Sequence, residues 1–153
     1  MRIHLGSLLV GLTAGQVSAA DRLPVELTFS EMKLCYDLSE RISEFSNAAL
    51  LAARMLNEET SLGLARSMSL VDDAEGKIEF VLPSSIATEI SMIGLLQDLY
   101  RKYSDFVQSA LSSKEEKMSD SDRDYAIALS KDAGEASRQV LRICQDAYPR
   151  RDM

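Results

Sequence analysis

Tryptophan is absent from this chain, and its single histidine, His4, lies in a segment that export would remove. Residues 1–20 read as a secretory signal peptide. Arg2 supplies the positive start, Ile3 to Val10 with Leu12 a short apolar run, and Val17-Ser18-Ala19 the small residues of a cleavage site, with the cut after Ala19 or Ala20. Past that point no histidine remains for a Ser-His-Asp or Cys-His nucleophile, for a Cys/His zinc site or for a c-type haem motif. GxSxG, GxGxxG and P-loop spacings are missing too. No stretch approaches the roughly 18 apolar residues of a membrane span, so an integral membrane protein is not expected. Asn47 and Asn57 are the only asparagines and neither opens an Asn-x-Ser/Thr sequon. Cation excess is lacking as well: taking Arg2 from a formal charge of −7 leaves −8. Such a surface repels phosphate backbones, and nucleic acid is not expected as a partner.

What remains is a single domain over residues 21–153, of a size that buries roughly two-thirds of its unfolded surface. Its organising stretch is residues 30–59. Cys35, Leu38, Ile42, Phe45, Ala49, Ala52 and Leu56 step by 3 and 4 and fall on one helical face. Thr28 with Glu31 three residues on has capping-box spacing. Residues 60–83 look irregular: a short helix near 62–71, a turn at Asp72-Asp73-Ala74-Glu75-Gly76, and an extended segment at 78–82. Pro83-Ser84-Ser85 opens a second long helix, capped by a serine, with the stripe Met92, Leu96, Leu99, Tyr103, Phe106, Ala110 led in by Ile86, Ile90 and Ile93. A polar connector at 112–118 leads to a last helix that starts at Ser119-Asp120 and stops before Pro149, with the stripe Ala126, Leu129, Ala133, Ala136, Val140, Ile143, Ala147. The expected fold is all-α, an antiparallel bundle of three long helices plus an irregular, partly helical return segment.

Cys35 and Cys144 form an even pair, which in an exported chain invites one disulfide, within a chain or between two. Cys35 begins the first long helix and Cys144 ends the last. They can meet only if residues 60–83 travel back along the bundle, because a disulfide spans about 4.4–6.8 Å between Cα atoms. Gly94 and Gly134 read as mid-helix glycines at one height, a waist where backbones approach or a slot that admits something.

Candidate chemistry is sparse. Asp120-Ser121-Asp122-Arg123-Asp124 begins like a calcium loop but offers Tyr125 and Lys131 where Gly and Glu are needed. The acidic residues suit a helix N-terminus instead. Glu40/Glu44, Glu58/Glu59 and Glu115/Glu116 are carboxylate pairs of a solvated surface. Neither a metal nor a cofactor is expected. Met55, Met68 and Met92 could converge in the bundle, and with Ile42, Phe45, Leu96, Leu99 and Phe106 they are the candidate lining of an apolar ligand pocket.

From 86 to 149 the order of elements resembles the fungal hydrophobic-surface-binding protein A and cell-wall galactomannoprotein family. The matching features are an apolar helix ending in Leu99-Tyr100-Arg101-Lys102-Tyr103-Ser104-Asp105-Phe106-Val107, the connector Leu111-Ser112-Ser113-Lys114-Glu115-Glu116-Lys117-Met118, and a last helix closing at Ala147-Tyr148-Pro149. The resemblance implies a non-catalytic protein of the extracellular space or cell wall that adsorbs to hydrophobic surfaces, recruits esterases to them, or holds fatty acids between helices. The Cys35 and Cys144 pair is a departure from that family. Beside this stands a second expectation, a secreted inhibitor, immunity protein or effector that docks an exposed helical face on another protein.

Overall fold

The computed structural model describes residues 25–112 and 119–149. The expected signal peptide, and the connector from 113 to 118, lie outside the described residues. The described chain is all helical: α1 (Phe29–Arg54), α2 (Glu58–Val81), α3 (Ser84–Ser91), α4 (Gly94–Ser112) and α5 (Asp120–Ala147).

α1 begins where Thr28 and Glu31 form the capping box: Glu31 N–H donates to Thr28 Oγ1 at 3.2 Å and Thr28 N–H to Glu31 Oε2 at 3.0 Å. It ends earlier than residue 59, since Met55 is extended and its N–H closes the last turn on the Leu51 carbonyl. Asn57 then starts a new helix. Its side chain accepts from Thr60 N–H, and Thr60 Oγ1 accepts from Asn57 N–H, both at 2.9 Å.

The return segment is therefore not irregular. Residues 58–81 form one continuous helix; the expected turn at 72–76 and residues 78–81 of the expected extended segment lie inside it, and Leu82 is its extended C-cap. Leu64, Met68, Val71, Ala74 and Ile78 keep a helical stripe through the whole stretch, and all are buried. Asp72, Asp73 and Gly76 are exposed on the other side of α2. Their turn chemistry never competes with the buried face, so tertiary burial overrides local preference.

The second long helix is interrupted instead. Ser91 Oγ donates to the Thr88 carbonyl at 2.9 Å, and the chain turns at Met92 before α4 starts at Gly94. The N-cap of α3 is Pro83 with no side-chain cap, not a serine. The offset between α3 and α4 puts Ile93 inside and Met92 outside. Gly94 thus opens a helix and is not a mid-helix waist. A Cβ on Gly134 would sit 3.7 Å from Arg138 Nη1 and 3.9 Å from Ser46 Oγ, ordinary contact, so close packing does not require that glycine either.

α1 packs along both α2 and α5, and α5 packs along α4. Cys35 and Cys144 are bonded within the chain, fully buried, with Cα atoms 6.3 Å apart. Further along the same pair of helices Ser39 meets Ser137 and Ser46 meets Ser130, so residue numbers rise on α1 as they fall on α5: the two run antiparallel. Lys102 with Asp132 and Tyr125 with Asp105 give the same sense for α4 against α5. At the cysteine end Leu27 N–H donates to the Ala147 carbonyl at 2.8 Å and ties the lead-in to the end of α5.

Candidate functional site

The candidate pocket lining separates into an inside and an outside set. Ile42, Phe45, Met68, Leu96, Leu99 and Phe106 are buried in one continuous core. Phe45 packs edge-on against Tyr103, with ring centroids 5.8 Å apart at 74°. Met55 and Met92 are not part of that core: they are 61% and 74% exposed. Met55 falls in the extended α1–α2 connection and Met92 in the α3–α4 turn, so the helix breaks carry both thioethers out of the core. The three methionines do not converge.

The surface carries more apolar area than the sequence suggested. Phe80 is 91% exposed and Phe29 65%, and Leu51, Leu62 and Val81 are also exposed. Nothing in the sequence singles out Phe80, because 78–82 has the composition of an extended segment. Once that stretch is helical, Ile78 and Leu82 form the inner pair one turn apart, and Phe80 lies on the opposite side. Phe29 shares its ring face with the Lys33 ammonium, 4.8 Å from the centroid.

Three of the open clefts among the described residues bear on the candidate residues. An acidic one of about 610 Å³ lies between α2 and α4, lined by Asp72, Asp73, Glu75, Gly76, Glu79 and Tyr100. Tyr100 Oη donates to Glu75 Oε2 at 2.8 Å. Burial pushes the Glu75 carboxyl above its ordinary value; the Tyr100 hydrogen bond opposes this, and Glu79 and Asp72 add to it. Burial and then Glu75 raise the Tyr100 phenol well above its usual range. A second cleft, about 580 Å³, lies between α3 and α5, where Met92, Ile93 and Ile143 meet Ser85, Thr88, Glu89 and Gln139. The third, about 320 Å³, is a slot of Phe29, Met32, Tyr36, Gln145 and Tyr148 beside the disulfide end.

Of the remaining charged candidates Glu40, Glu44, Glu58 and Glu59 are exposed, and Glu115 and Glu116 lie outside the described residues. Glu44 pairs with Arg41 at 3.1 Å. Ser119 Oγ caps α5 by accepting from Asp122 N–H at 3.1 Å, with Asp120 and Asp122 in the first turn, which suits the helix dipole. Among the described residues no three or more His, Cys, Asp or Glu are grouped so as to hold a metal ion, and no helix is long and apolar enough to cross a membrane. No family model, curated protein or solved structure matches the chain.

Proposed function

We propose that this chain is an exported, non-catalytic helical-bundle protein that binds a hydrophobic surface or an apolar molecule through side chains it displays outside a filled core. In this reading the helices form an up-down-up-down bundle, with α3 and α4 together as one element. The single observation that carries it is the exposure of Phe80, Met92, Phe29 and Met55 on a domain whose other large apolar residues are mostly packed inside. Side chains of this size each forgo about 1.5–3 kcal/mol of burial when left in water, a cost that an apolar surface would recover. The resemblance of residues 86–149 to surface-adsorbing proteins points the same way.

Of the two modes in that reading, adsorption is favoured over a ligand held between helices. Ile42, Phe45, Leu96, Leu99 and Phe106 are packed against neighbours, and a fatty acid would have to displace them. Incubation of the purified protein with fatty acids followed by native mass spectrometry should show no retained lipid, while the same protein should deplete from solution over alkyl-coated beads. Retained lipid with no depletion would move the reading to an internal pocket. Failure of both would remove it, and a stoichiometric protein captured from the secretome in that case would support the docking alternative, for which the α3–α5 cleft is a candidate surface.

A further inference from the structure

The seams between the helices are held by different chemistry. α1 and α5 lie close, joined by the buried Cys35–Cys144 bond and by hydroxyls that find partners on the facing helix, Ser39 with Ser137 and Ser46 with Ser130. α2 packs along α1 and α4 along α5, but the backbones of α2 and α4 scarcely approach one another. Leu64, Met68 and Val71 of α2 and Leu96, Leu99 and Phe106 of α4 belong to one apolar core. Among the described residues the polar link across that seam is Tyr100, whose hydroxyl lies 2.8 Å from Glu75 Oε2 and 3.4 Å from Asp72 Oδ1 in an open cleft. An apolar surface acts differently on these seams. Parting α1 from α5 is barred by the disulfide and would strand buried hydroxyls against hydrocarbon. Parting α2 from α4 exchanges one apolar contact for another, and returns Tyr100 and Glu75, both half-buried, to water that already reaches them.

We propose that the bundle opens along the α2–α4 seam when it meets an apolar surface, and that the inner faces of α2 and α4 become the surface that adheres. This deepens the adsorption reading and rests on it. α1 and α5 are the bonded spine, with α2 carried on α1 and α4 on α5. Extended backbone at Met55 and Leu82 and the turn at Met92 supply the joints. α3 connects α2 to α4 across the opening, and the exposed Phe80, Val81 and Met92 flank it in the chain. Those three make the first contact, beside the joints that then move. In water the closed form wins because the two apolar faces cover one another. A hydrocarbon surface shifts the balance, since only the open form offers it those faces.

A tether across the seam, read by adsorption to alkyl-coated beads, tests it. Ala65 of α2 and Gln108 of α4 are exposed and lie further along the same seam, away from the disulfide. The Ala65→Cys, Gln108→Cys protein with its two new thiols joined by a short bis-maleimide should adsorb several-fold less than the same protein with each thiol capped by N-ethylmaleimide. Phe80 and Met92 are free in both forms. Equal adsorption of the two would overturn the opening and leave the adsorption reading standing, whereas wild type that stays in solution would overturn both. A second measurement needs no tether. The chain has no tryptophan, so Phe106→Trp puts one reporter on the buried face of α4, about 20 Å along the helix from Met92. Droplets of a brominated alkane should quench that indole several-fold in the adsorbed protein. An indole as bright on the droplets as in solution would overturn the opening.

Discussion

Ser39 and Ser137 hold α1 and α5 together by a reciprocal exchange. Ser137 Oγ donates to the Ser39 carbonyl at 2.9 Å, Ser39 Oγ donates to the Ser137 carbonyl at 3.2 Å, and the hydroxyls themselves are 2.7 Å apart. Ser43 Oγ is 3.0 Å from Ser137 Oγ, and Ser46 donates to the Ser130 carbonyl at 2.8 Å, which extends the polar seam along the pair. Buried hydroxyls cost free energy unless each finds a partner, and here the partner is the facing backbone. Small side chains are what let the helices come that close. Ser137→Ala should therefore lose only about 1 kcal/mol, the net value of its hydrogen bonds. Ser137→Val forces a branched side chain into the same space and should lose about 1–3 kcal/mol. Urea unfolding of the two variants gives the order, and an equal or reversed loss would mean the seam has slack. The sequence signalled Cys35, Ile42 and Phe45 on the face of α1, but it did not signal this seam: serines on a helix read as polar surface until the partner helix is in place.

α2 is the element in which local and tertiary preferences disagree. Gly63 and Gly76 both lie within it, and a Cβ at either position would meet nothing within 4 Å. Glycine inside a helix is worth roughly 0.5–1 kcal/mol less than alanine, mostly through backbone entropy in the unfolded chain. Gly76→Ala should raise stability by about that amount in urea titration, whereas a loss would show that the 72–76 stretch favours a turn after all. This element also shows what could be read in advance. Capping at Thr28, the seam of α1, the stripe of α5 and its stop before Pro149 were legible because propensity, period and capping agree there. In α2 the acidic run and Gly76 read as a turn, and only the burial of Val71, Ala74 and Ile78 against the rest of the bundle reverses it. The break at Met92 escaped notice for the opposite reason. Met92 and Leu96 keep a helical spacing, so periodicity continues across a point where the backbone does not. The break at Met92 takes that residue out of the candidate lining, the end of α1 at Arg54 takes Met55 out, and the helical course of α2 brings Phe80 to the surface.

At the scale of the whole molecule the disulfide and the exposed apolar residues define the account. Cys35 and Cys144 are 109 residues apart in sequence, so their bond closes nearly all of the described chain. A loop of that order restricts the unfolded state by up to about 4–5 kcal/mol in the chain-entropy view, with 2–4 kcal/mol typical of measured bonds. Cys35→Ala with Cys144→Ala should lower the melting temperature by roughly 5–10 °C. A smaller drop would mean that the serine seam and core already hold α1 to α5. That the two cysteines pair was legible in the sequence, and this pairing, not local propensity, is the ground for reading residues 60–83 as a return path along the bundle. The proposed adsorption rests on Phe80 and Met92, which stand in solvent without supporting the core. Adsorption to alkyl-coated beads, compared between wild type and Phe80→Ser with Met92→Ser, is the most direct test. The account predicts that wild type depletes from solution while the double variant, with an unchanged melting temperature, adsorbs several-fold less. Wild type that stays in solution, or a double variant that adsorbs equally well, would contradict it.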